Sequence, residues 1–212
     1  MSIKINNKKE KAQFEPLIPN NIISFPRSGQ HMNERILAEF HQVNNIPYKY
    51  CELYNCCQRS PCKYNSVYQK NHDFDLSLKI QPNQKYLFLY RKNKLEQLEA
   101  YYRSSRNNKQ DYKDSNEYLN LLKFCRNKSS YYDSLVTKFV NNESENILCI
   151  NYDDYLNYPS KTFHKIINFF GLNYSFDYVD NFIINRDEKI QRRNNMDKSL
   201  LIKLTKDLND IL

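Results

Sequence analysis

The residues best suited to chemistry lie near the start of the chain, in Ser24–His31. A short apolar strand, Asn21–Phe25, runs into a turn, and an amphipathic helix follows it. The N-terminus of a helix presents unpaired N–H groups and the positive end of the helix dipole, which together bind anions such as phosphate. Gly29 permits a close backbone approach, while Arg27 and Ser28 add a fixed charge and a hydroxyl. The segment predicts an anion-binding site, with an ordinary strand–helix turn as the alternative.

This turn does not have the pattern of a Walker A loop. G-x-x-x-x-G-K-[ST] requires two glycines and a lysine, whereas the only glycines in the chain are Gly29 and Gly171. The sequence therefore argues against most nucleoside triphosphatases and Walker-type kinases. Gly171 follows a helical pattern, Ser160–Phe170, and is expected to end that helix.

Four of the six cysteines form a second cluster with the pattern C-x4-C-C-x4-C: Cys51, Cys56, Cys57 and Cys62. Free thiols are the favoured interpretation, followed by two disulfides and then by a zinc site, because the C-x2-C spacing of structural zinc sites is missing. Cys125 and Cys149 fall in a helical and a strand-like pattern and are expected in the core.

The elements that must position these residues alternate between strand and helix. After the first strand and a helix from about Gln30 to Val43, the strand-like segments are 47–50, 85–90 and 146–150. Between and after them lie a helix carrying Leu95, Leu98 and Tyr102, a long helix over 115–140 with Leu119, Leu122, Leu135 and Phe139 on its buried face, and the helix before Gly171. Such alternation predicts a three-layer α/β/α fold with a mainly parallel sheet. Ligands bind such sheets at the carboxyl ends of the strands, where Arg27–Gly29 and Arg91 fall.

The composition fits one soluble domain. We expect a polar tail at 1–18 and a single domain at 19–212, with a Cys-rich insertion at 51–62 and a docking helix at 196–212. No apolar segment reaches the length of a membrane span and no signal peptide is recognised, so a cytoplasmic location is expected. The net charge of +8 favours anionic partners, although a basic surface without a specific partner is equally compatible with it.

Four segments together resemble one family, the sulfotransferases that use 3′-phosphoadenosine-5′-phosphosulfate. Ser24–His31 resembles their 5′-phosphosulfate loop, aromatic-Pro-[Lys/Arg]-[Ser/Thr]-Gly. Gln69–Asp73 resembles the Lys-Thr-His segment, and Leu87–Arg91 resembles the strand that ends in the 3′-phosphate arginine. Asn151–Asp154 with the following Ser160–Leu172 resembles the Tyr-Glu-Asp-Leu segment and its helix. The resemblance covers about residues 20–172 and implies a P-loop-NTPase-like sulfotransferase architecture.

The resemblance implies transfer of a sulfuryl group from this cofactor to a hydroxyl or amine, leaving 3′-phosphoadenosine-5′-phosphate, without a metal. The acceptor is not identified; a glycan is preferred because arginine in the first loop is common among sugar sulfotransferases. The cofactor-binding residues that it implies are Arg27, Ser28, Gly29, Gln30, His31, Arg91, Tyr152 and Arg192. Arg27 would act as a clamp on the 5′-phosphate and not as an acid, because a guanidinium does not give up its proton.

His72 is then the candidate general base, since imidazole titrates near neutrality. Asp73 is expected to orient it, or Lys70 to bind a sulfonate oxygen, so that the catalytic set is His72, Arg27 and Lys70. His31 and Glu34 are the alternative bases.

The chain departs from the family pattern at several points. Glu99 stands where a phosphate-binding serine is common, Met32 replaces the aromatic residue that usually closes the first loop, and Arg192–Asn194 lacks the glycine of the family's Arg-Lys-Gly segment. Two alternatives therefore remain open. One is a nucleotide-dependent small-molecule kinase with a degenerate P-loop. The other is a non-catalytic module that binds polyanions or nucleic acid through a basic, Tyr-rich surface including Tyr101–Arg103.

Overall fold

The computed structural model describes residues 19–59, 62–106, 112, 114–185 and 197–209. The expected tail 1–18, Arg192, and both ends of the expected helix 196–212 lie outside these segments. Among the helices within them, none is long and apolar enough to cross a membrane.

In the described segments, five strands form one sheet in which every neighbouring pair is parallel. They are β1 (Asn20–Ser24), β2 (Tyr50–Glu52), β3 (Tyr68–Asn71), β4 (Tyr86–Tyr90) and β5 (Ile147–Asn151), in the order β2-β3-β1-β4-β5. The chain leaves β1 toward the β2 side and later crosses to β4 and β5 on the other side. The winding direction thus changes at β1, which places the expected ligand crevice at the carboxyl end of that strand.

Seven helices cover the sheet in the described segments: α1 (Gln30–Val43), α2 (Lys94–Ser105), α3 (Ser115–Val140), α4 (Tyr152–Asn157), α5 (Pro159–Phe169), α6 (Phe176–Ile184) and α7 (Lys198–Asn209). A 3₁₀ turn at Leu53–Asn55 follows β2. Four helices begin at a residue whose side chain accepts a backbone N–H from the first turn: Asn93, Asp114, Asn151 and Ser175. These polar residues fix the helix starts because they bond N–H groups that have no partner within the helix.

Two hydrophobic cores lie on opposite faces of the sheet. Successive strand residues point to opposite faces, so Ile22 enters the core shared with α1, α4, α5 and α6, whereas Ile23 enters the core shared with α2, α3 and α7. In β4, Leu87 enters the same core as Ile22, and Phe88 enters the same core as Ile23. The arrangement has helices on both faces of an all-parallel sheet, and it confirms the expected three-layer α/β class.

Strand β3 and the exposed Leu119 of α3 differ from the expectations from the sequence. Gln69, Lys70 and Asn71 are polar and no strand is expected there, yet all three are buried in β3. Their polarity is tolerated because they find partners inside the protein: the Gln69 amide donates to Arg59 O at 2.7 Å, and Lys70 pairs with Glu52. On α3, the expected core residue Leu119 is 58% exposed, because the buried face runs through other positions of the helix.

Gly171 ends α5 as expected. It has φ +84°, its N–H donates to Asn168 O at 2.9 Å, and the N–H of Leu172 donates to Ile167 O at 2.9 Å. This pair of bonds is the Schellman motif, which requires a residue in the left-handed region after the last helical turn. The second glycine of the chain is accounted for by the helix end alone.

Candidate functional site

The residues proposed from the sequence gather at one edge of the sheet. Because all five strands are parallel, their carboxyl ends meet there. The candidate residues within the described segments follow four neighbouring strands: Arg27, Ser28, Gly29, Gln30 and His31 come after β1, His72 after β3, Arg91 after β4 and Tyr152 after β5, while Lys70 lies within β3. Segments far apart in sequence therefore lie at one edge of the sheet.

The loop after β1 has an unusual backbone. Arg27 has φ 70° and Gly29 has φ 81°, and the N–H of Ser28 donates to Phe25 O at 3.3 Å. Gly29 precedes α1 and provides no side chain to cap its first turn. Backbone N–H groups at the start of α1 are therefore available to an anion, and the exposed Arg27 lies beside them in the chain.

The polar side chains of this loop are mostly used to hold it in place. The Gln30 amide donates to Ile22 O at 3.0 Å and accepts from Ser24 Oγ at 2.7 Å. The buried Ser28 hydroxyl lies 2.8 Å from Phe25 O and 3.1 Å from Gln97 Oε1, both of them acceptors. Gln30 can therefore serve a ligand through its backbone N–H at the start of α1, whereas the N–H of Ser28 and the side chains of both residues bind the protein.

Gly29 lies against the ring of Tyr152 from the start of α4. A Cβ on Gly29 would lie 2.5 Å from Cε2 of that ring, a distance that real Cβ atoms essentially never show. Position 29 therefore needs glycine for two structural reasons: its φ is positive, and the Tyr152 ring leaves no room for a Cβ. Both reasons hold whatever ligand the site binds. Tyr152 also carries the guanidinium of Arg91 over its face at 4.6 Å from the ring centroid. One tyrosine thus joins the loop after β1 to the arginine after β4.

We expect Gly29→Ala to destabilise the protein more than Gly171→Ala does. Both glycines have nearly the same φ, so both substitutions carry the cost of the left-handed region, about 1–2 kcal/mol. At Gly171 the nearest atom to a new Cβ is Lys85 Nζ at 4.0 Å, whereas at Gly29 it would overlap the Tyr152 ring. Overpacking typically adds about 1–3 kcal/mol. Urea unfolding of both variants measures the difference in the free energy of unfolding. Equal losses would show that the ring moves aside at no cost.

Arg91 is held by its neighbours on the α3 face. The hydroxyl of Tyr132 donates to the backbone oxygen of Arg91. Nearby, Glu99 of α2 is buried, with Arg103 at 3.3 Å and the Tyr112 hydroxyl at 3.0 Å. Burial raises the pKa of Glu99, and the positive charges of Arg103 and Arg91 oppose that rise. The region around Arg91 therefore already contains a carboxyl group.

His72 is positioned by β1. Its Nδ1 donates to Ser24 O at 2.7 Å, since a carbonyl oxygen can only accept, and Nε2 is then left without a proton in the neutral ring. Burial lowers the pKa of His72 to about 4, and the charge of Lys70 acts in the same direction. Near neutral pH the side chain is consequently an uncharged imidazole with Nε2 able to accept a proton.

Asp73 does not orient His72, contrary to the expectation from the sequence. Its carboxylate accepts from Lys138 Nζ at 2.5 Å and from the N–H of Leu78 at 2.8 Å. Asp73 has φ 48°, and its buried side chain is directed to α3 and to its own loop. The carbonyl of Ser24 has the orienting role that adjacency in sequence suggested for Asp73.

A cavity of about 480 Å³ opens beside His72. It is lined by His31, Glu52, Leu53, Tyr54, Asn55, Lys70, His72 and Phe74. Lys70 forms an ion pair with Glu52, and this pairing lowers the pKa of Glu52. Glu52 is not among the site residues expected from the sequence, although its position at the carboxyl end of a strand in an α/β sheet is a usable indication.

The two alternative bases differ in access to this cavity. His31 lines it, and its side chain is 64% exposed with Nδ1 3.6 Å from Glu34 Oε2. Glu34 is half-buried on α1 beside His31 and does not line the cavity. His31 therefore remains a geometric alternative to His72, and Glu34 acts at most through His31.

Comparison with known proteins does not place the chain in a family: no protein-family model matches it, and no curated protein matches it.

Proposed function

We propose that the protein transfers a sulfuryl group from 3′-phosphoadenosine-5′-phosphosulfate to a hydroxyl or amine acceptor. The observation that carries this proposal is the meeting, at one edge of a parallel sheet, of three features. They are the Arg27–Gly29 loop at the start of α1, the Arg91–Tyr152 pair, and the neutral His72 next to a cavity. Their order along the chain is the order that the resemblance implies.

The loop fits the 5′-phosphate end of this cofactor. The start of α1 offers N–H groups and the positive end of the helix dipole, and Arg27 adds a full charge at an exposed position. Side-chain hydrogen bonds of Ser24, Ser28 and Gln30 hold the loop in place within itself and against β1. Preorganised donors of this kind stabilise charge that develops on a leaving phosphate without reorganising.

The residues expected to bind the 3′-phosphate of the cofactor fit that role less closely. Arg91 supplies a guanidinium suited to a phosphate, but Glu99 places a carboxyl group where the resemblance leads us to expect a serine. Glu99 Oε1 accepts from the Tyr112 hydroxyl at 3.0 Å, and Oε2 lies 3.3 Å from the guanidinium of Arg103. The ion pair of Glu99 with Arg103 offsets part of the negative charge that a phosphate near Arg91 would meet. Arg91 is therefore the 3′-phosphate ligand of this proposal, and Glu99 takes no part.

When bound, the cofactor supplies the sulfuryl group. The chain's own residues bind the cofactor, orient the acceptor and move its proton. His72 Nε2 accepts the proton of the acceptor hydroxyl or amine, and its bond to Ser24 O holds the ring in the required tautomer. The acceptor enters the cavity beside His72. The rings of Tyr54 and Phe74, whose centroids are 5.3 Å apart, give it an apolar wall, and the Lys70–Glu52 pair gives it a polar one. A sugar or a phenol offers both kinds of surface.

A calorimetric titration tests the proposal. We expect 3′-phosphoadenosine-5′-phosphate to bind more tightly than adenosine 5′-phosphate, ATP·Mg²⁺ or a single-stranded oligonucleotide, because Arg27 and Arg91 offer separate anion subsites. Absence of binding by the bisphosphate would overturn the proposal. Preference for ATP·Mg²⁺ would favour the kinase with a degenerate loop, and binding of the oligonucleotide alone would favour a polyanion-binding module.

A further inference from the structure

The Cys-rich segment between β2 and β3 brings four thiols together. Cys51 lies in β2, Cys56 and Cys57 follow the 3₁₀ turn, and Cys62 lies beyond residues 60 and 61. All four Sγ atoms lie within 4.8 Å of one another, and those of Cys51 and Cys57 are 3.5 Å apart. Around a tetrahedral zinc ion with Zn–S bonds of about 2.3 Å, the sulfurs are roughly 3.8 Å apart. The cluster therefore has nearly the size of a tetrahedral site for one ion.

The same geometry argues against the other arrangements of four cysteines. Two disulfides would divide the sulfurs into two bonded pairs at about 2.05 Å, whereas here all four form one group. An iron–sulfur cluster distributes its cysteines over several irons, which separates the sulfurs more widely than a single ion does. Zinc is the ion that four thiolates in a compact tetrahedron favour.

N–H donors surround the sulfurs as they do in thiolate sites. The N–H of Tyr64 donates to the Sγ of Cys62 at 3.4 Å, from the position two residues after the ligand. The amide of Gln69 lies 3.7 Å from the sulfurs of Cys51 and Cys57, and its side chain is fully buried. Donors of this kind stabilise the negative charge of bound thiolates and orient the ligands. They also explain why the buried strand β3 has a glutamine at this position.

We propose that Cys51, Cys56, Cys57 and Cys62 bind one zinc ion in a closed tetrahedral site whose role is structural. Four protein ligands leave no open position for a substrate. The site stands independently of the proposed transfer reaction, since it rests on the cysteine geometry alone. It has a consequence for the crevice, however. Glu52, Leu53, Tyr54 and Asn55 lie between the first two ligands and line the cavity beside His72, so zinc would fix that wall.

Metal analysis of the full chain, purified under reducing conditions, tests the site. We expect one zinc per chain by mass spectrometry. After exchange with cobalt, we expect the thiolate charge-transfer and intense visible bands of tetrahedral cobalt. Cys56→Ser should lose the zinc. It is chosen because the Cys56 side chain is exposed, so that its loss creates no cavity. Cys149→Ser, outside the cluster, is the matched control and should keep its zinc.

If the Cys56→Ser variant folds poorly, the zinc site can still be tested on the wild-type protein. Titration with a mercurial should release zinc in proportion to the thiols it blocks, and stability should fall as the ion leaves. Stability should recover when excess dithiothreitol has removed the mercurial and equimolar zinc is added. Three results would each overturn the proposal: iron in place of zinc, four reactive thiols that take up no zinc or cobalt, or two disulfides in the protein as isolated.

Discussion

Replacing Arg27 with alanine is expected to weaken the binding of 3′-phosphoadenosine-5′-phosphate by roughly 10- to 150-fold. This range corresponds to about 1.5–3 kcal/mol for a hydrogen bond to a charged group, with a factor of ten for each 1.4 kcal/mol. The side chain is exposed and the residue has φ 70°. A non-glycine residue in this region is strained, and the substitution removes a charge without disturbing a core. Calorimetry with purified variants measures the change.

Two further variants separate the charge at this position from charge in general. Arg27→Lys keeps the positive charge and loses the forked geometry, so we expect it to bind with intermediate affinity. Arg126→Ala removes an exposed arginine of α3 that is not among the proposed site residues, and should bind as the wild type does. If Arg27→Ala binds as tightly as Arg126→Ala, the loop after β1 is not the anion site and the assignment of Arg27 is wrong.

The strand, turn and helix that form this site could be predicted from local patterns, because an apolar strand, a turn with glycine and an amphipathic helix each have a distinct residue pattern. The α1 boundaries, Gln30–Val43, were obtained in this way. The structural need for glycine at position 29 could not be predicted from local patterns, since it depends on the ring of Tyr152, which comes from a distant part of the chain. A sequence shows that a position is glycine; only the fold shows what a Cβ there would meet.

The polar residues of β3 and the loop after it could not be assigned from the sequence. Lys70 and Asn71 have the composition of a loop, yet they belong to a strand, where Lys70 pairs with Glu52 of β2 and Asn71 Oδ1 accepts from the N–H of Asp73. Asp73 adjoins His72 in sequence but bonds Lys138, while Ser24 from another strand holds the imidazole. Tertiary contacts decide the partner of a buried polar group, and chain adjacency is a poor guide to them.

His72→Asn is expected to lower the transfer rate by about 10²- to 10⁴-fold, the usual contribution of a general base, and to leave the binding of 3′-phosphoadenosine-5′-phosphate unchanged. The asparagine amide can take the place of Nδ1 toward Ser24 O, so the fold contact survives while Nε2 is lost. Release of the bisphosphate from the sulfated cofactor, with a panel of phenols and sugars as acceptors, measures the rate. His31→Ala is the rival variant, and His164→Ala, on α5, is the control. Loss of rate in His31→Ala alone would transfer the role of base to His31.

The pH dependence distinguishes His72 from a solvent-exposed histidine. Burial lowers the pKa of His72 to about 4, so the imidazole is protonated, and unable to accept a proton, only below that pH. The acidic limb of kcat/KM, which reports groups of the free enzyme, is therefore expected near pH 4, with full activity above about pH 5. Imidazole resonances of the free protein give the same pKa without any acceptor. A limb near pH 6.5, the ordinary value for histidine, would mean that the base is another group. Because the lowered pKa follows from the position of the ring between β1 and the cavity, such a result would also contradict the placement of the acceptor beside His72.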